Sequence, residues 1–527
     1  MIRPRPAAAA IVVLAALATL AARWPGLGLR PMHCDEAVHA LKFEQLWHGG
    51  DYRYDPHEYH GPALYYLTLP VVWLAGVQDF GQLQEWMLRL VPLLCAAGGV
   101  ALLALLIDGL GAGAAVWAAL FLAASPALTF YSRYYIQESL LVFFTAALLA
   151  CGWRYYRSRR PVWALLAGVA LGLMHATKET FVIALGAMLA ALVLLLWPRR
   201  ATAPAQRPGR HVVRWPLIAG GLLAISVSAA LYSNLLRHPQ GILDSVLTYR
   251  EYFTRAGAGG DHEQPWYYYL KLLTWTRYGH GPLWSEGLLL GLGLLGAVVA
   301  LLRRHPSGHQ ALPRFLALYT LLLIAVYSLI PYKTPWCALS FLYGLALLAG
   351  MAVAAGLARL RRRWTQVALG LLLVVAGLGH LAAQAQRACS RRWCADYHNP
   401  YVYAQPTFRV VELAGRIEEL AALHPDRQAM RVNVIAPDYW PLPWYLRRLS
   451  AVGWYEQLPE QPDAPVVVVD SSLLERFVAA AEDEYQINAY GLRQPSTVLW
   501  LCVERGLWQC YVDQVLQSPP DGAERAP

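Results

Sequence analysis

Long apolar runs alternate with short polar connectors over the first 384 residues of this chain. Crossing a bilayer takes about 20 apolar residues in a helix. Segments near that length occur at roughly 7–23, 87–108, 112–130, 139–155, 161–175, 181–197, 215–232, 284–302, 314–331, 336–358 and 364–384. The run GPALYYLTLPVVWLAG at 61–76 is equally apolar but short, with an internal Pro70, and reads as a helix lying in the membrane interface. The connectors support that choice. With about eleven spans and a cytoplasmic N-terminus, one set of connectors holds Arg154, Arg157, Arg159 and Arg160, then Arg199, Arg200, Arg207, Arg210 and Arg214, then Arg303, Arg304 and Arg314, and finally Arg359, Arg361, Arg362 and Arg363. The opposite connectors are longer and poorer in basic residues. Counting 61–76 as a span would put these clusters outside, against the positive-inside bias.

After residue 384 the spans stop and Asp, Glu and Arg become frequent. Helical periodicity covers 404–423 and 473–481, and strands are predicted at 430–435, 465–469 and 498–503. Alternating strands and helices predict a small α/β domain over 385–517, outside the membrane and extracytoplasmic by the span count. The Pro-rich polar tail, 518–527, has the composition of a disordered segment. Residues 1–384 form the membrane domain, so the expected architecture is mainly α, a polytopic bundle with interfacial helices. No internal repeat, P-loop or dinucleotide fingerprint occurs.

Composition agrees: 57% of the 527 residues are hydrophobic and 15% charged, as expected of a multi-pass protein of a plasma (inner) membrane. The formal net charge of +10 comes largely from connector arginines and is not read as a nucleic-acid surface. Arg3 and Arg5 before the first run, with no cleavage site after it, read as a retained signal anchor. Among eight cysteines, Cys389 with Cys394 and Cys502 with Cys510 are close pairs, compatible with two local disulfides outside the cytoplasm or with unpaired thiols. Neither pair is followed by the second Cys/His pair of a zinc site.

Polar clusters fall on one predicted face. The first is HCDEAVHA at 33–40, directly after the first span, with adjacent Asp35 and Glu36. A carboxylate at a membrane face can deprotonate an acceptor hydroxyl or bind a divalent metal; it can also simply cap the amphipathic run that follows. Glu138 stands at the start of a span beside Arg133, as a second acidic site residue or half of an ion pair. Lys178, next to Glu179, and Lys333, in the turn PYKTP, can bind a phosphate or reach lipid headgroups. His33, Asp35, Glu36 and His60 are conceivable ligands of a divalent metal, without diagnostic spacing. The run DHEQPWYYY at 261–269, with His262 and Trp266, joins charge to aromatic rings, as sugar stacking or an interfacial aromatic belt requires.

Taken together, HCDEAVHA, YHGPALYY, TKET, HEQPWYYY, YKTPW and YWPLPWYL resemble the GT-C glycosyltransferase superfamily. The likeness is greater to its protein O-mannosyltransferase and aminoarabinose-transferase branch, and greater still to the flippase-activity-associated protein family. The resemblance implies transfer of a sugar, with inversion, from a polyprenyl-phosphate donor to a hydroxyl of a protein or glycolipid acceptor at the outer membrane face. It implies Asp35 as the base, with Glu36 and Glu138 as further acidic site residues. Lys333, with Arg133 or Lys178, would hold the donor phosphate, and Tyr59, His60, His262, Trp266 and Tyr332 would line the substrate site. One element departs: where the aminoarabinose branch has Lys-Pro-Pro, this chain reads His60-Gly61-Pro62. The rival expectation, a non-catalytic accessory of lipid-linked sugar flipping or transport, places charged groups midway through the bundle instead of at one face.

Overall fold

The computed structural model describes residues 6–49, 52–57, 60–202, 214–257, 262–302, 311–482, 484–493 and 497–517. Among these, seven helices are long and apolar enough to cross a bilayer: Pro6–Arg23, Glu85–Leu105, Glu138–Ser158, Trp215–Tyr232, Ala311–Leu329, Pro335–Arg359 and Arg363–Ala388. Four other predicted spans appear as shorter apolar helices, Ala112–Ala124, Pro161–His175, Phe181–Trp197 and Gly287–Leu302. The 61–76 run folds as the 12-residue helix Ala63–Leu74, below the length of a span. Close approach of helices rests on small residues, as expected where lipid and side chains are equally apolar. A Cβ at Gly168 would lie 2.0 Å from the Gly220 carbonyl oxygen, so this pair of helices packs backbone against backbone.

The C-terminal part carries one five-stranded sheet: β1 (Val432–Ile435), β2 (Val452–Tyr455), β3 (Val466–Asp470), β4 (Tyr485–Arg493) and β5 (Thr497–Glu504), in the order β2-β1-β3-β5-β4. β1 pairs in parallel with β2 and β3, whereas β5 is antiparallel to β3 and β4. Period-2 alternation sends Val432, Val434, Val466 and Val468 toward the helix Arg409–Leu423, and Ile435, Val467, Val469 and Cys502 toward Phe477 of the helix Leu474–Ala480. Both faces are therefore covered. The sheet contains two strands beyond the predicted three. β2 and β4 are its edges, half-buried and interrupted by Gly453 and Gly491, so neither shows a clean apolar run.

The eight cysteines are free thiols, so the local disulfides are not formed. Cys502 is buried within the sheet while Cys510 is exposed on the helix Arg505–Gln517, and Cys394 is buried where Cys389 closes the helix Gly379–Ala388.

The C-terminal part sits on the polar end of the bundle. Tyr131 Oη donates to the Tyr401 carbonyl at 2.7 Å, and Tyr401 Oη donates to the buried Glu286 at 2.9 Å. Trp444 Nε1 donates to Glu85, the first residue of a membrane helix, at 2.9 Å.

Candidate active site

The helix Cys34–Glu44 follows the first membrane helix after a ten-residue turn and holds both residues of the acidic doublet. His33 is its N-cap: its Nδ1 accepts from the Asp35 amide at 3.1 Å, and Glu36 accepts from the His33 amide at 2.9 Å. Successive residues on a helix point about 100° apart, so the doublet divides between two environments.

Glu36 faces inward and is fully buried. Arg89 donates from Nε and Nη2 at 2.8 Å each, Arg30 Nη2 at 2.9 Å and the Tyr135 amide at 2.8 Å, besides the His33 amide. Burial disfavours its charge, but Arg30 and Arg89 override that and hold the carboxyl well below its ordinary range. Arg89 also donates to the carbonyls of Leu27, Arg30 and Pro31, so one buried ion pair shapes the loop leading to the site. Neither Arg89 nor Arg30 was identified from sequence. The signal was a lone cation in the apolar EWMLRLVP, which needs an acid partner at membrane depth.

Asp35 faces the other way. Its side chain keeps 49% exposure, and its nearest ionic neighbour is His33 Nδ1 at 3.7 Å. Partial enclosure raises its pKa, but the positive charge that surrounds it, Lys178 included, outweighs this and leaves it lowered, so the carboxylate is ionised at neutral pH. His39 is buried one turn on, bonded to Tyr65 Oη at 2.9 Å; burial, with His60 nearby, lowers its pKa to about 3 and keeps it neutral.

The loop between the helices Pro161–His175 and Phe181–Thr202 supplies Lys178 and Glu179 to the same region. Lys178 pairs with Glu138, the first residue of its helix, and both are buried. Glu179 accepts from His60 at 2.8 Å and from Tyr54 Oη at 3.4 Å. The pairings thus differ from the alternatives open in the sequence: Glu138 takes Lys178 instead of Arg133, and Glu179 takes His60 instead of Lys178. Arg133 donates instead to the carbonyls of Arg23 and Gly26, the latter at 2.5 Å. His60 is brought in by a close backbone approach, since a Cβ on Gly61 would stand 2.3 Å from the Ala176 carbonyl oxygen. Ala63 donates to that same oxygen at 2.8 Å, which explains why Gly stands in His-Gly-Pro.

A second group is linked to His33 through Tyr403. Lys333 is buried, its ammonium donating to the Gln264 carbonyl at 2.9 Å and to that of Ile330; burial lowers its pKa. The Lys333 amide donates to the His262 carbonyl, and residues 263 and 332 form an isolated β-bridge. His262 Nδ1 bonds Tyr403 Oη and its ring lies 4.8 Å from that of Tyr332. Tyr403 and His33 both touch Trp336, at 5.5 and 5.9 Å between ring centres. Trp266 is 64% exposed on the surface, and Tyr59 lies outside the described residues. Among the described residues no group of three His, Cys, Asp or Glu is arranged to hold a metal.

Residues 14–236 match the family model described as dolichyl-phosphate-mannose-protein mannosyltransferase. An undecaprenyl phosphate-alpha-4-amino-4-deoxy-L-arabinose arabinosyl transferase of Pseudomonas fluorescens (strain Pf0-1) is 32% identical over 199 residues, 37% of this chain and 31% of the relative. The corresponding transferase of Pseudomonas paraeruginosa (strain DSM 24068 / PA7) is 31% identical over 234 residues, 44% of this chain and 37% of the relative. The matches thus span about a third of the length of these curated relatives. In three dimensions the agreement is longer. The crystal structure of ArnT from Cupriavidus metallidurans bound to undecaprenyl phosphate superposes with a TM-score of 0.62 at 17% identity, covering 93% of this chain and 97% of that one.

Proposed function

We propose that this multi-pass membrane protein, whose fold is that of the GT-C glycosyltransferases, transfers a sugar from a polyprenyl-phosphate donor to a hydroxyl acceptor. Asp35 acts as the general base. One observation carries the assignment: of four neighbouring carboxylates, Glu36, Glu138 and Glu179 each have a cationic or imidazole nitrogen within 2.9 Å, whereas Asp35 keeps 49% exposure and its nearest such nitrogen, His33 Nδ1, stands at 3.7 Å. A base must be ionised, accessible and within reach of the proton it takes. Asp35 meets the first two conditions.

In the reaction the acceptor oxygen attacks the anomeric carbon as its proton passes to Asp35. The bond from that carbon to the phosphate oxygen breaks on the opposite side, and the lipid phosphate leaves with the electron pair, so the anomeric centre inverts. Lys178, whose charge already acts on Asp35, stabilises the leaving phosphate. His60, oriented by Glu179, binds beside it. Lys333 contributes by exchanging a carbonyl contact for a phosphate oxygen. Glu36 and Arg133 support this arrangement from below. The site faces the extracytoplasmic side of the plasma membrane, where the positive-inside count places the C-terminal domain, and the acceptor is a protein or an envelope glycolipid. Charged residues inside the bundle favour this reading over an accessory role, because Arg23, Glu138 and Glu286 stand at helix ends and Arg89 one turn in.

The test is Asp35→Asn in protein reconstituted with a polyprenyl-phosphate sugar. It keeps shape and removes the proton acceptor, so transfer should fall about 10²–10⁴-fold with donor binding retained. Transfer within threefold of wild type would end the assignment.

A further inference from the structure

Four consecutive residues ahead of Asp35 are each tied to the C-terminal part of the chain. Gln405 Nε2 donates to the Pro31 carbonyl at 2.9 Å, and the Met32 amide donates to Tyr445 Oη at 2.8 Å. His33 Nε2 meets the Tyr403 carbonyl at 2.9 Å, and Cys34 Sγ points at the Trp440 carbonyl at 3.7 Å. The partners belong to the sheet domain mechanically. Thr407, two residues past Gln405, donates from its amide to the Leu492 carbonyl of β4 at 2.9 Å and from Oγ1 to that of Gly491 at 2.6 Å. Tyr445 ends a helical turn packed in the core beneath the sheet.

The His33 contact has a chemical consequence. Nδ1 accepts from the Asp35 amide, so it carries no proton; the ring proton therefore sits on Nε2 and is donated to the Tyr403 carbonyl. That carbonyl selects the tautomer that caps the helix carrying Asp35. We propose that the C-terminal domain sets the position of the catalytic carboxylate, with Tyr445, Gln405 and His33 as positioning residues. Docking of this domain then governs turnover more than donor binding. The inference rests on Asp35 as the base. A carboxylate displaced by about 1 Å loses up to about 10²-fold in rate without losing substrate affinity.

The experiment uses the full chain in proteoliposomes with Tyr445→Phe, His33→Asn and the double variant. Tyr445→Phe removes only the acceptor for the Met32 amide. His33→Asn keeps a competent helix cap and removes the link to Tyr403. Two quantities are read: transfer kinetics with a polyprenyl-phosphate sugar, and hydrogen exchange of amides 33–44. Support is a fall in kcat of about tenfold or more, donor affinity within threefold, and faster exchange across 33–44. Wild-type kcat in variants with faster exchange overturns the proposal, as does unchanged exchange. If the double variant does not fold, His33→Asn alone decides by the same criteria. If wild type transfers nothing, the glycosyltransferase reading fails, and the exchange data still decide whether the domain holds this helix.

Discussion

Replacing Glu36 by Gln separates the anchor from the base, and the structure gives the size of the effect. Five donors converge on the Glu36 carboxylate, three of them from the guanidinium groups of Arg89 and Arg30. A glutamine offers one acceptor oxygen and an NH2 group that must face some of the same donors. At least two of the five bonds are lost, and two buried cations keep their charge without a counter-ion. Breaking a buried ion pair from one side costs about 3–5 kcal/mol, a large part of the roughly 5–15 kcal/mol that holds a typical fold. Asp35→Asn, at a half-exposed carboxylate with no short ionic contact, should change stability by about 0.5 kcal/mol or less. Denaturant titration of the purified variants in one detergent measures both. The expected result is a large loss of stability for Glu36→Gln with little for Asp35→Asn, and the reverse order for loss of transfer per folded molecule. A Glu36→Gln protein as stable as wild type but inactive would refute the reasoning and move the base to Glu36.

Three further outcomes follow from the same geometry. With Asp35 as the proposed base and its pKa lowered, transfer should stay level from neutral pH to about pH 5 and fall only as the carboxylate protonates. His60→Gln removes one of the groups that lower it, so a pH–rate profile should show that limb displaced upward; an unmoved limb would mean that Asp35 does not control it. Gly61→Ala must push against the Ala176 carbonyl, costing about 1–3 kcal/mol of stability and loosening the His60–Glu179 contact, read by thermal unfolding and donor binding. Maleimide should label exposed Cys510 in the native protein but Cys502 only after unfolding; a disulfide-linked peptide joining the two, released by reductant, would contradict the free thiols.

How much of this was legible in the sequence differs by element. Apolar run length exposed the membrane bundle, because lipid imposes one length rule on every span. Run length also marked 61–76 as too short to cross. The central strands β1, β3 and β5 announced themselves because both faces are buried, whereas the edges β2 and β4 follow pairing that no local pattern records. The candidate site was legible as a collection, since its residues stand at or near helix ends on one predicted face. Its pairings were not. Glu138 and Glu179 have Arg133, Lys178 and His60 as nearby cations or imidazoles, and sequence order cannot rank them. Side-chain reach at fixed depth assigns Lys178 to Glu138 and His60 to Glu179.

The doublet shows where sequence reading stops and why. Asp35 and Glu36 are chemically near-equivalent neighbours, and either can serve as a base in isolation. Their roles diverge because the helix rotates about 100° between them, and because its phase is fixed from three directions. The His33 cap ties the first turn, Arg89 draws Glu36 inward from 53 residues away, and Tyr445 and Gln405 hold the approach from more than 370 residues away. Turning the helix by one residue would bury Asp35 against Arg89 and expose Glu36 in its place, at the cost of the cap, the five-bond carboxylate cluster and the domain contact together. That combined loss fixes which of the two carboxylates is buried and which is exposed. It also means that a variant weakening only one of the three restraints should slow transfer before it lets the two carboxylates exchange roles.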